Sequence, residues 1–157
     1  MQTPVDTSFL AENDRERARM RSIVERLSDE QLAQPVNDSW TVAGVLVHIA
    51  FWDSRATYLA GKIQRGEPFS PDDVEPDDVD WINDSTRPII HALPPRDAAR
   101  LALRIAEETD ALVASLDASR VWPNDQESLL NAFRSQHRGE HLDDIEAAVS
   151  SRASAAD

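Results

Sequence analysis

Four long stretches of this chain repeat their apolar residues every three to four positions, and strand-like alternation is nearly absent. That period selects amphipathic helices, each burying one stripe. The first runs roughly from Ser8 to Leu27, with Phe9, Met20, Ile23, Val24 and Leu27 on one stripe; Asn13 and Glu16 fall near it. The second, roughly Val42 to Gln64, carries Val42, Val45, Leu46, Ile49, Trp52 and Leu59. The third, roughly Arg96 to Leu116, turns Leu101, Ile105, Leu112 and Leu116 inward. The fourth, from about Gln126 to Ser150, places Leu130, Phe133, His137, His141, Ile145 and Ala148 on one face.

The connections carry their own signals. Ser28-Asp29-Glu30-Gln31 is a capping-box pattern that starts a short turn of helix, which Pro35 ends. Asn37 to Thr41 offers several N-caps for the second long helix, and Gly66 supplies its stop. Glu67 to Asp80 holds Pro68, Pro71, Pro76 and a run of acids, so it reads as a loop, either a crossover or a lid over a site. Its prolines hold the backbone open, which favours a solvated loop over a cation site. Val79 to roughly Thr86 reads as a short helix, with a break or kink at Pro88 and a second break at Pro94-Pro95. Four long helices with one long connection describe an all-α four-helix bundle with a crossover. One domain over residues 1–150 accounts for the 157 residues, with 151–157 expected as a disordered tail.

Charge narrows the partners. With 29 acidic and 16 basic residues the formal charge is -13. Such a surface repels phosphate backbones and anionic membranes, so neither nucleic acid nor membrane is expected as a partner. Cysteine is absent, so any thiol chemistry must use a thiol brought in from outside. The N-terminus, Met-Gln-Thr-Pro-Val-Asp, lacks the basic start and apolar run of a signal peptide. The longest apolar stretch, Val42 to Trp52, is too short to span a bilayer. A soluble cytoplasmic protein is the expectation.

His137 and His141 lie one turn apart on a face that should enter the core. A buried imidazole needs a partner for each ring nitrogen. Two readings meet that need: a shared metal ion, or two ordinary histidines, one bonded to a carboxylate and one to water. His48, on the flank of the second helix, is a third imidazole; the same choice applies to it. Together the three would make a site with one or more open positions, as catalytic metal sites have.

Two motifs carry a family likeness. Ser39-Trp40-Thr41-Val42-Ala43-Gly44-Val45-Leu46-Val47-His48-Ile49-Ala50-Phe51-Trp52 resembles the tryptophan-led second helix of the DinB-like (DinB/YfiT-like) metalloenzymes, with its inward histidine. His137-Arg138-Gly139-Glu140-His141-Leu142-Asp143-Asp144-Ile145 resembles the His-x-x-x-His of their last helix. The likeness covers nearly the whole chain. It implies a bundle in up-down-down-up order, with a short extra helix in the long crossover. It also implies a divalent metal, zinc or nickel, on His48, His137 and His141, and a homodimer. Relatives of this kind include S-transferases and isomerases that use mycothiol, bacillithiol or glutathione. A small electrophile or thiol would then be the substrate. The alternative is a metal- or ligand-binding protein of stress or detoxification without turnover.

Further residues complete these expectations. Asp144, near the histidine face, is a candidate to orient a metal ligand; the alternative is a surface acid paired with an arginine. His91 is read as structural, and Trp40 and Trp52 as core. Gly139, opposite the histidines, suits either close approach by another backbone, as in a dimer, or a solvated face that tolerates it. Coordination needs neutral imidazoles, so metal affinity should fall as pH drops through roughly 6.5.

Overall fold

The computed structural model describes residues 3–157, so the first two positions of the N-terminal segment read above lie outside it. Among the described residues six α-helices follow in order: α1 Ser8–Arg26, α2 Asp29–Ala33, α3 Val42–Arg65, α4 Asp80–His91, α5 Pro95–Ser115 and α6 Arg134–Ala155. The fold is all-α. Helix α2 begins with the expected reciprocal box, Ser28 and Gln31 each accepting the other's backbone N–H. The Thr41 hydroxyl caps α3 by accepting from Gly44 N at 3.0 Å. Gly66 ends α3 at φ 69°, a conformation that side chains disfavour.

The four long helices pack in a ring, α1 on α5 and α6, and α3 on α5 and α6. Their directions follow from side-chain pairs. Arg17 meets Asp110 and Arg21 meets Glu107, so α1 and α5 are antiparallel. Asn13 meets Ser135 and Arg19 meets Asp143, so α1 and α6 are parallel. Arg134 meets Asp53 and His141 lies against His48, so α3 and α6 are antiparallel. The order is therefore up-down-down-up. Because α3 and α5 run the same way, the chain between them must return along the bundle. That return holds α4, which packs on α3.

The core is divided in two. One apolar cluster gathers Met20, Leu46, Ile49, Ala102, Leu142 and their neighbours. The other gathers Phe9, Leu59, Ile63, Val113 and Leu130. Between them lies a polar layer of Asn13, Asp53, Thr109, Asp110, Ser135 and Arg138, all buried. Arg138 is 0% exposed. It donates from Nε to Asp53 at 3.0 Å and from both terminal nitrogens to Asp110 at 2.8 Å. Burying such charges is tolerable only because each is paired and hydrogen-bonded.

Several boundaries differ from expectation. Helix α4 runs through Pro88 to His91, past the end expected near Thr86, so the chain does not break at the proline. The carbonyl that loses its donor belongs to exposed Asp84, where water can satisfy it. Helix α6 begins at Arg134, not near Gln126. Upstream, Asp125, Ser128 and Asn131 bond backbone N–H groups two residues on, which competes with helix. The same helix continues to Ala155, past the boundary expected at 150, with its last residues exposed. The inward face of α5 is Ala98, Ala99, Ala102, Ala106 and Val113; Leu101, Ile105, Leu112 and Leu116 flank it, half-buried. Small residues at the seam let α5 approach α3 closely. Gly139 faces α1, where an added Cβ would stand 3.6 Å from the Glu16 carboxylate. Its neighbour within the chain is thus the Glu16 side chain.

Candidate metal centre

Helix α3 supplies His48 and helix α6 supplies His137 and His141. The inward stripe of α6 is Ser135, Arg138, Leu142 and Ile145, so the two histidines sit one step off it, half-buried, instead of at its centre. His48 is the more buried partner, at 8% exposure, although sequence placed it on a flank. The three rings pack against one another, with centroids 4.6 to 5.3 Å apart. One nitrogen from each lies within 4.8 Å of the others, and among the described residues no other cluster offers a comparable set. The acidic crossover loop gathers no such set.

The Nε2 atoms of His137 and His141 face each other at 3.1 Å. Two facing lone pairs on neutral imidazoles repel unless a proton or a cation lies between them. Two nitrogens bound to one tetrahedral zinc ion at about 2.0–2.1 Å stand about 3.4 Å apart, close to the separation here. The other nitrogen of His137, Nδ1, is buried without a hydrogen-bond partner. The donor set therefore fits a divalent transition ion. No imidazolium needs to be deprotonated at neutral pH. Burial, reinforced by His141, lowers His48 to about 4. Burial, with the neighbouring histidines and Arg134 and Arg138, lowers His137 to about 3. Burial also lowers His141, against the opposing pull of Asp144 and Glu140. The expected loss of affinity near pH 6.5 is thus moved downward.

Asp144 lies beside the site, its carboxylate 3.9 Å from His141 Nδ1. That is too long for a hydrogen bond, and the side chain is largely exposed. His91 stands outside the trio. It packs on Trp40, and it sits against Gly44, where any Cβ would collide with its ring. Trp40 in turn packs on His48, with ring centroids 5.3 Å apart, so it backs a candidate ligand. Trp52, expected in the core, is half-buried in a cavity wall and donates from Nε1 to Asn83 at 3.2 Å.

That cavity holds about 450 Å³ and opens onto all three imidazoles. Its walls are apolar at Ala56, Leu59, Val79 and Leu130, and charged at Arg55, Glu75 and Arg134. Sequence reading missed the two arginines and the buried aspartates beneath them. Asp53 and Asp110 interrupt apolar stripes at helical spacing, and that was the available signal. A smaller recess of about 200 Å³, lined by Trp40, Asn83 and Asp144, reaches His48 and His141 from another side.

The crossover carries one more buried acid. Asp73 accepts from Lys62 at 2.6 Å, from Tyr58 at 2.8 Å and from Ser70 N at 2.7 Å. Lys62, before the others, holds its carboxyl well below the usual range. This pins the crossover to α3 and fixes the cavity rim.

The profile of the DinB superfamily matches residues 12–143, a span that contains all three histidines. No curated protein and no solved structure matches the chain.

Proposed function

Because the chain belongs to the DinB superfamily, we propose that it is a divalent-metal-dependent enzyme that transfers a small thiol to an electrophile. One observation carries the reading: three neutral imidazoles converge at the wall of a cavity large enough for a small molecule. A sequestering protein would instead close its ion off with protein ligands. His48, His137 and His141 hold the ion, zinc or nickel, through neutral nitrogens. When bound there, a divalent ion supplies Lewis acidity and lowers the pKa of a thiol or water.

The chain's own residues do the rest. Leu59, Leu130 and Trp52 exclude water from the cavity, which strengthens electrostatic interactions inside it. Trp40 and the buried α3 backbone hold His48 in place. In the transfer the thiol proton passes to solvent and a C–S bond forms at the electrophilic carbon. The leaving group departs with its bonding pair. A bacillithiol- or mycothiol-type cosubstrate suits a chain without cysteine. The reading also takes the protein as cytoplasmic; no helix among the described residues is long and apolar enough to cross a membrane. It takes the working unit as a homodimer, supported by Trp81 and Ile89, large apolar side chains that α4 leaves exposed.

The test has two stages. Protein reconstituted with zinc or nickel is desalted and its metal content measured. A panel of low-molecular-weight thiols is then offered with chromophoric electrophiles. The expected result is metal-dependent conjugation that His137→Ala abolishes. Protein that retains no metal, or conjugation untouched by that change, rejects the reading.

A further inference from the structure

Two cations in the cavity have no part in holding the imidazoles. We propose that Arg134 and Arg55 form a carboxylate-binding subsite, so that the cavity's ligand is a small anion with a short apolar body. The inference rests on reading the cavity as the substrate site.

Arg134 is held from behind. Its Nε donates to Asp53 at 3.1 Å, and no hydrogen bond among the described residues uses its two terminal nitrogens. The side chain is 12% exposed and lines the cavity beside His137 and His141. A guanidinium fixed at Nε presents its other edge as a ready fork for two oxygens. Its charge is not cancelled by Asp53 alone. Asp53 and Asp110 are shared among three guanidiniums, those of Arg134, Arg138 and Arg17. Arg138 engages both aspartates, and the remaining arm of Arg17 reaches exposed Asp14.

Arg55 is held in a similar way. One terminal nitrogen donates to the carbonyl of Asp73 at 2.7 Å, which fixes the group without neutralising it. The acid it faces is Glu75, at 3.6 Å on the rim and half exposed. In a chain of net charge -13, two arginines at one cavity do not reflect a generally basic surface. The apolar walls lower the local dielectric and strengthen an ion pair formed there. An anion held by this pair would keep its other end near the imidazoles, which line the same cavity.

The test uses calorimetric titration of the full-length protein with succinate and with its neutral analogue succinamide. Both metal-free and zinc-loaded protein are titrated, because the metal-free arm isolates the arginines from the ion. Succinate is expected to bind metal-free protein, and succinamide at least about tenfold more weakly. Arg134→Gln and Arg55→Gln should each weaken succinate about tenfold or more, as the loss of a charge-assisted contact does. Arg55 lies outside the buried network, so its variant keeps the test valid if Arg134→Gln folds poorly. Circular dichroism checks both. No saturable succinate binding without metal, equal binding of the two probes, or binding that both variants leave unchanged would overturn the proposal. Zinc retention is measured separately by mass spectrometry. A chain that binds succinate but retains no zinc therefore fails the metal reading and upholds this one.

Discussion

His137 and Arg138 are consecutive residues of α6 that face different surroundings: the imidazole lines the cavity, and the guanidinium fills the polar layer of the core. The backbone that carries the candidate ligand is thereby anchored by ion pairs to two other helices, α3 and α5. Stability and site geometry are coupled through one peptide bond.

Replacing Arg138 by Ala leaves Asp53 and Asp110 buried with fewer partners. The expected loss is about 3–5 kcal/mol, the usual result of removing one partner from a buried pair. Arg21, paired with Glu107 at the surface, should cost within about 1 kcal/mol when changed to Ala. Urea denaturation of the two variants checks both. Similar losses would mean that the buried layer is not what holds the helices together.

Metal content separates the histidines. His48→Ala, His137→Ala and His141→Ala should each remove most of the bound zinc or nickel, and His91→Ala should remove none. Mass spectrometry after desalting reads the difference. A His91 variant that loses as much as the His137 variant would sink the assignment.

Acid should weaken the metal-free fold before its carboxylates matter. His48 and His137 lie near 4 and 3 when folded and near 6.5 when unfolded. Between those values the unfolded chain binds more protons, so stability rises with pH in that window. It is lost as pH falls from about 6.5 toward 4, at up to about 1.4 kcal/mol per unit for each histidine. Urea midpoints of metal-free protein at pH 7 and pH 5 give the slope. In the His48→Ala/His137→Ala double variant the slope should shrink, and an unchanged slope counts against buried neutral imidazoles.

Gly139→Ala should raise stability by about 0.5–1 kcal/mol. Ala is the better helix former, and its Cβ would meet Glu16 at ordinary contact distance. Thermal unfolding of the variant is the check; a lowered midpoint would show that the α1–α6 seam needs the missing side chain.

The bundle was legible because its period is written in ordinary apolar residues. Phe9, Met20, Ile23 and Val24 are buried where their spacing puts them, as are Val42, Leu46, Ile49 and Leu59. The three histidines were legible as candidates because their spacing and helices are local facts. What spacing could not reveal was depth. Leu101 and Ile105 are larger than Ala98 and Ala102, yet the alanines make the seam, because close approach of α3 and α5 rewards small side chains. The polar layer was only partly legible, for a related reason. Asp53 and Asp110 interrupt apolar stripes, but spacing within one helix cannot pair them with Arg138; three helices must come together to do that. Residues 126–133 kept an apolar period without helix, since Asp125, Ser128 and Asn131 claim the backbone first.

Helix α6 follows α1, α3 and α5 along the chain, and that order sets a sequence of events during synthesis. A nascent chain that stops short of Arg134 has made α1, α3 and α5 but only one of the three imidazole donors. Its Asp53 has neither Arg134 nor Arg138, and its Asp110 keeps only Arg17, so the polar layer lacks the charges that close it. Metal loading and burial of that layer must both wait for the last helix to leave the ribosome. A chain truncated before Arg134 is thus expected to stay open and unloaded, which makes the emergence of α6 the step that commits the bundle to its folded form.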